Sequence, residues 1–458
     1  MAFKSPKYGN STECHYWGYS FQWTDLHSSA DDLRPMMRTC DSRADQCVER
    51  LNKILLDEGA DQRPCKKDLY GSLRDHADKD PKLKEFWTEV TTVPEWVDWA
   101  QIQRGQDVFF RYGLPILNVL SFQSLLGGMG TTRVIETLSR TGGFRAKVVR
   151  RRLLETLQYI LQVNSSAEDM KPGGDGHISC VRVRLLHSSV RAKILSLIEQ
   201  NPEYYDIERY GIPVNDLDCI STINVFCSSV MWLGLPRQGI YPSQQEVTDY
   251  IALWRLVAHY MGTPTDPFES TVKARALMES FLVSEIAPTE TGKILAKNII
   301  IGLENTAPIY ASKEFMEAMS RILNGDQLAD ALEIPRSNLY HRMLIWGYIF
   351  WVMAISYLVP RIYFLDRIMI SYRRKHYYKL LLDERRGLGR ETRFEFKYLP
   401  TLTRTTRLGK RRSTKVERGG IESLAYLGFV TAFTAIATLA TGLTSAVRMI
   451  PLQFDMMR

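Results

Sequence analysis

From about residue 85 to residue 354 apolar side chains recur at spacings of three and four, over 133–163, 179–200, 216–234, 244–261, 270–285, 290–302 and 312–323. That spacing lines them along one stripe of a helix. The punctuation agrees: Asp216 and Ser243 stand where N-caps belong, Gly234 and Gly262 where helices should stop, and Pro236 and Pro264 follow them. Alternating, strand-like patterns are scarce and no repeat is evident. The pattern predicts an all-α body of about eight to ten helices. Residues 1–84 read as a polar extension packed on that core, with an aromatic cluster at Tyr16–Trp23 and an amphipathic helix near Arg43–Leu56. Residues 85–340 read as the helical domain itself.

Two apolar segments follow. Leu344–Val359 has 16 residues before Pro360, short of the roughly 20 needed to cross a bilayer and equally suited to burial, so 341–365 is expected as a buried or membrane-associated helix. Leu424–Val447 runs for 24 residues without a charge, long enough to cross with some tilt. Residues 419–458 are therefore expected to hold a transmembrane helix and a tail. The alternative is a buried terminal hairpin, since the Ala, Thr and Gly content suits close helix packing.

The chain has 458 residues, 45% of them hydrophobic, and carries a net charge of +8. A basic chain invites a nucleic-acid reading, but the charge is local. Between Asp366 and Arg418 there are 17 Lys and Arg against 6 Asp and Glu, a net of +11, which leaves about −3 for the rest. Specific nucleic-acid binding is not expected, and 366–418 reads as a basic juxtamembrane linker, either drawn to anionic lipid headgroups or simply solvated and partly disordered. If only the last segment crosses, that linker is cytosolic; if both cross, the domain is lumenal. Seven cysteines, at 14, 40, 47, 65, 180, 219 and 227, form no CxxC and are expected as thiols. The sequons at Asn10 and Asn164 matter only in a lumenal setting.

The stretch VRVRLLHSSVRAKI, 181–194, carries the chemistry. At about 100° per residue, Cys180, Val183, Arg184, Val190, Arg191, Ile194 and Ile198 fall within roughly 60° of His187. An otherwise aliphatic face thus buries an imidazole between two guanidiniums. Buried charges need counter-charges. Protein carboxylates would serve, and so would the two propionates of a haem whose iron is bound by His187. Neighbouring positive charge favours the neutral imidazole that axial ligation requires.

Other routes lack support. GGMGTTR, 127–133, has Arg133 where a dinucleotide fingerprint needs its third glycine and reads as a helix junction. No GxxxxGK[ST], HExxH or GxSxG occurs.

Several stretches in combination resemble the catalytic domain of the ER-bound oxygenases and rubber oxygenases, especially its fungal members. They are HYWGYSFQW (15–23), TVPEWVDWAQIQRGQDVFFRYG (92–113), FQSLLGGMGTTRVIETLSRTGGF (122–144), RRRLLETLQYIL (150–161), the His187 stretch, GIPVNDLDCIST (211–222) and YIALWRLVAHYMGTP (250–264). The resemblance implies an all-α fold around one haem b, with His187 as the axial iron ligand and Arg184 and Arg191 as cofactor-binding partners. It implies catalytic roles for Arg152 and Thr156 on the distal side and for Glu136 as a base. Glu155 stands where rubber oxygenases can carry a lysine next to that threonine, so a lysine-capped state is not expected. The expected function is that of a membrane-associated haem oxygenase of the endoplasmic reticulum, using O2 on an apolar, olefinic or polyisoprenoid substrate by C=C cleavage. The alternative is a haem- or lipid-binding membrane protein without turnover.

Overall fold

The structure is a computed structural model that describes residues 12–59, 68–394, 399–411 and 420–449. Asn10, Cys65, residues 412–418 and the terminal tail lie outside it. Its longer helices are α1 (Ser42–Asp57), α2 (Pro81–Thr91), α3 (Trp99–Arg111), α4 (Thr132–Thr141), α5 (Val149–Val163), α6 (Asp175–Gln200), α7 (Asp216–Phe226), α8 (Gln244–Tyr260), α9 (Thr271–Ser284), α10 (Glu290–Leu303), α11 (Lys313–Ala331), α12 (Leu339–Leu358), α13 (Tyr363–Leu382) and α14 (Ile421–Met449). The all-α expectation holds. Its exception is a hairpin, β1 (Thr12–Tyr16) and β2 (Tyr19–Trp23), paired from Thr12–Trp23 to Tyr16–Tyr19. Trp17 and Gly18 both take positive φ, +54° and +74°, as a two-residue hairpin turn demands. Trp17 donates its indole N–H to Leu282 O on α9 at 2.9 Å.

Local chemistry explains the boundaries. Ser243 and Glu246 form a capping box at the start of α8. At α7 the cap is Asn215, one residue before the expected Asp216, because its amide oxygen accepts from Asp218 N. The apolar run 133–163 is two helices, since Gly142 turns left-handed (φ +71°) and ends α4. Helix α6 has 26 residues, about 39 Å at 1.5 Å per residue. Around α3 and α8 the core is closed by Phe109, Tyr250 and Trp254, all fully buried.

The described part of the basic stretch is not a free linker. Its first part is α13, which lies across α3: Arg111 grips Asp366 (2.9 and 2.7 Å), and Arg367 and Arg374 share Asp107 (2.6 and 2.8 Å). Beyond α13 the chain runs as a strap over α4, α5 and α10. Thr405 N donates to Ser139 O at 2.7 Å, Gly409 N to Asn298 Oδ1 at 2.7 Å, and Arg411 pairs with Glu304. Among the described residues, Arg367, Arg374, Arg393, Arg404 and Arg411 of this stretch are held by carboxylates of the body, and charge counting alone does not distinguish that from a solvated tether.

Helices α12 and α14 pack through glycine. A Cβ on Gly347 would sit 2.4 Å from Ala425 O, and one on Gly428 would sit 2.4 Å from Gly347 O. Bare backbones are what permit this approach. The sequon at Asn164 is fully buried, its amide bonded to Ile160 O at 2.8 Å at the end of α5; it is a structural cap and offers no surface for glycosylation.

Candidate functional site

Helices α5 and α6 form an antiparallel pair whose register follows from two contacts. Ser179 Oγ donates to Gln162 Oε1 at 2.6 Å, and Tyr159 OH meets Cys180 Sγ at 3.7 Å. Antiparallel helices advance in opposite directions, so one residue gained on α6 is one lost on α5. Two turns further on, this register sets Arg152 against His187 and Thr156 against Val183. The electrostatics agree, because the Arg152 guanidinium acts directly on His187.

Burial pushes the His187 pKa down to about 4, with the charges of Arg191 and then Arg152 adding to the effect against a smaller pull from Asp41. The ring is therefore neutral at physiological pH. Yet His187 is only half-buried by accessible surface, as are Arg152, Thr156 and Val183. Other histidines are engaged: His27 with Glu279 at 2.8 Å, His177 with Val90 O at 2.7 Å. Among the described residues, no protein hydrogen bond reaches the His187 ring. Thr156 Oγ1 bonds back to Arg152 O at 3.1 Å, which orients the hydroxyl along α5.

The two arginines have turned toward the N-terminal extension. Arg184, 3% exposed, binds Asp41 with two prongs (Nε to Oδ2 2.6 Å, Nη2 to Oδ1 3.0 Å) and Glu89 with a third bond at 2.7 Å. Of the two counter-charges considered from sequence, protein carboxylates serve Arg184, and nothing in its geometry calls for a propionate. Arg191 is less fully used. Its Nη1 lies 3.3 Å from Asp45 Oδ1, which also accepts from Ser188 at 2.6 Å, while its buried Nε has no partner. Gly262 makes room for this cluster: it turns left-handed (φ +67°), and a Cβ there would stand 2.4 Å from both Arg184 Nε and Asp41 Oδ2. An open groove of about 600 Å³ is lined by Arg43, Glu89 and His259, and none of its walls belongs to α5 or α6.

Glu136 is buried on α4, not on the surface, and is clamped. Arg140 Nη1 binds its carboxylate at 2.7 Å, and Arg404 of the strap binds the same oxygen. Glu155 is paired with Arg151 at 3.1 Å, one turn back on its own helix. The carboxylates Asp41, Asp45 and Glu89 were not singled out by sequence. Asp41 left a signal, as a polar residue immediately before the amphipathic stretch of α1, where it caps Ala44 N at 3.1 Å.

Among the described residues no three His, Cys, Asp or Glu side chains converge as a metal cage. An iron at this site would be held by His187 and would take its other ligands from a cofactor such as a porphyrin. A neutral imidazole with no protein hydrogen bond among the described residues fits that requirement.

The fold belongs to a known class. The structure of latex clearing protein in its closed state superposes with a TM-score of 0.55 at 15% identity, over 77% of this chain and 93% of that one. Residues 111–354 match the family described as ER-bound oxygenase mpaB/B'/Rubber oxygenase, catalytic domain, and the chain belongs to that family. Rubber oxygenase of Streptomyces sp. (strain K30) is 20% identical over 277 residues, 60% of this chain and 65% of that protein, so this chain spans just under two thirds of that relative. Aurantioclavine synthase cnsA of Penicillium expansum is 45% identical over 58 residues, 12% of each chain.

Proposed function

We propose that the protein is a membrane-associated, haem b-dependent oxygenase that uses O2 on an apolar, olefinic or polyisoprenoid substrate. The observation that carries this reading is the His187 ring, kept neutral by burial and by Arg191 and Arg152, without a protein hydrogen bond among the described residues, in a chain of an oxygenase family. His187 holds the cofactor from α6. Arg191, with a free Nε, is the flanking arginine that retains capacity for an anionic side arm of the cofactor. When bound, haem supplies the dioxygen chemistry. The Arg152 guanidinium would place positive charge near the site, where developing negative charge is stabilised, and the Thr156 hydroxyl, whose one proton goes to Arg152 O, would donate there only by turning away from that bond. Glu136, fixed by two guanidiniums, holds the strap on α4; a base role requires one of those bonds to open.

Membrane attachment is supported by the surface of α12 and its neighbours. Trp346, Leu358, Tyr363 and Phe364 are 61, 61, 77 and 69% exposed, and Phe433 on α14 is 66% exposed. The span Leu339–Arg361 is long and apolar enough to cross, as is Asp216–Gln238, but the latter is mostly enclosed by the fold and serves as core. Helix α14, at 29 residues, is about 43 Å long against a hydrocarbon core of about 30 Å. An apolar substrate partitions into lipid, and the endoplasmic reticulum is the membrane that the family description points to.

The test is the absorption spectrum of the purified protein beside His187→Ala, followed by assay of the wild type with O2 and a polyunsaturated prenyl lipid. The expected result is a Soret band that His187→Ala loses, and carbonyl-terminated products from the wild type. Full haem retention in the variant overturns the ligand assignment. A haem-loaded wild type that yields no products favours the second reading, a haem or lipid carrier, for which the clamped Glu136 speaks.

A further inference from the structure

Helix α12 is apolar enough to cross a bilayer, yet the segments that follow it are docked on the same body as those before it. Asp366, Arg367 and Arg374 of α13 are ion-paired with Arg111 and Asp107 on α3. Further along, Thr405 N bonds Ser139 O on α4, and Gly409 N bonds Asn298 on α10. A single crossing between residues 339 and 361 would put these partners on opposite sides of a membrane. Helices α12 and α13 are therefore a there-and-back pair on one side, joined by a corner at Val359–Arg361.

That corner is apolar and open. Tyr357, Leu358, Ile362, Tyr363, Phe364 and Leu365 are all exposed, a run that a protein surrounded only by water rarely shows. Along α13 one exposed stripe carries Phe364, Ile368 and Tyr372 and then Lys375 and Lys379, at helical steps of three and four, while Asp366, Ile370 and Arg373 on the opposite stripe are buried against the body. The face is thus apolar beside the corner and basic away from it, the order met in passing from acyl chains to anionic headgroups. Between Tyr357 and Tyr372 the exposed charges are Arg361 and Arg367, and Arg367 is paired with Asp107 at 2.6 Å. Arg361 then sets the depth. Its guanidinium must reach the headgroups, which places the corner about 5–10 Å into the boundary between headgroups and acyl chains. The bilayer itself is brought there by α14, on which α12 packs where Gly347 meets Ala425 and Gly428, and whose Leu424–Val447 is long enough to cross. We propose that the α12–α13 corner is a lipid-binding surface, seated in the interfacial layer of the leaflet on the side of the body, with α14 beside it as the crossing helix. This rests on the proposed membrane attachment and adds to it the surface by which the body sits on the bilayer and its depth.

The experiment inserts the full chain into phosphatidylcholine and phosphatidylserine vesicles that hold a single copy each, and follows alkylation of Phe364→Cys by a membrane-impermeant maleimide, peptide by peptide, by mass spectrometry. Lys53→Cys, at an exposed position on α1, is the aqueous control. The expected result is flotation with the vesicles and a rate at position 364 at least about tenfold below the control, because a thiol among acyl chains does not ionise to the reactive thiolate. The protection holds whether the reagent is outside the vesicles or sealed within them. Should Phe364→Cys fail to fold, Ile368→Cys on the same stripe carries the comparison. A floating protein that reacts at position 364 as fast as the control from outside overturns the lipid contact. Reaction with the sealed reagent means that the corner has crossed, and overturns the one-sided arrangement. Protection that appears only when several copies share a vesicle assigns the surface to a second copy of the chain and overturns the proposal as well. A protein that does not float overturns the membrane reading and this inference with it.

Discussion

Arg184 and Asp41 are joined by two parallel bonds, 2.6 and 3.0 Å, across 143 residues of sequence. The pair ties the helix of the candidate iron ligand to the N-cap of α1, and Glu89 adds a third contact from α2. Removing one member of a buried pair strands the charge of the other. Arg184→Ala is therefore expected to lower stability by about 3–5 kcal/mol, read by chemical denaturation. A loss under about 1 kcal/mol, typical of exposed pairs, contradicts the structural role. Gly262→Ala is expected to cost more than about 1 kcal/mol, because it combines a left-handed φ with a collision at the same pair.

Arg152 and Thr156 face His187 without holding the cofactor in the proposed arrangement. Arg152→Gln and Thr156→Val are expected to keep their haem and to lose turnover by about 10²-fold or more, as when a preorganised donor is removed from a developing charge. Haem content against kcat separates this from the His187→Ala phenotype. Loss of haem in Thr156→Val would instead make Thr156 part of the cofactor cradle.

Glu136 is either a proton carrier or a clamp for the strap, and Arg404 discriminates the two. Arg404→Ala removes the clamp and leaves the carboxylate. If Glu136 acts as a clamp, Glu136→Gln and Arg404→Ala show the same faster hydrogen exchange at the Thr405 amide, which bonds Ser139 O. If it moves a proton, Glu136→Gln alone lowers kcat, by about 10²-fold.

The buried thiols report on pH. Burial pushes Cys47, Cys180 and Cys227 up to about 12 from 9.0. A group whose folded pKa is raised contributes stability that is present below the unfolded value and lost as pH climbs through the folded one. Stability is expected to be flat in this respect up to about pH 9 and to fall between about 9 and 12. At pH 8 the three thiols should alkylate at least about tenfold more slowly than in the unfolded chain, measured by mass spectrometry after iodoacetamide. Rapid labelling of Cys180 in the native protein contradicts its enclosure.

The helical body was legible because apolar spacing and caps such as Ser243 are local signals. His187 was legible for the same reason: a titratable residue on an aliphatic stripe is an anomaly within one helix. The counter-charges were not, because Asp41 and Glu89 approach Arg184 from 143 and 95 residues away, and periodicity carries no information about tertiary partners. The strap was misread for a related cause. Its arginines have the composition of a solvated tether, and only the positions of Glu136, Glu304 and Asp107 turn that composition into docking. The hairpin went unread because its ten strand residues carry a weak alternation, and Trp17 is an unusual occupant of a turn that favours Asn or Gly.

The bonds from Gln158 to Thr392 and from Glu136 to Arg404 span 234 and 268 positions. During synthesis the α5–α6 pair emerges long before the segment that seals it, and loop closure over such separations is slow. Neither bond can form until the strap has been made, so the contacts that hold it on α5 and α4 are among the last this chain can complete.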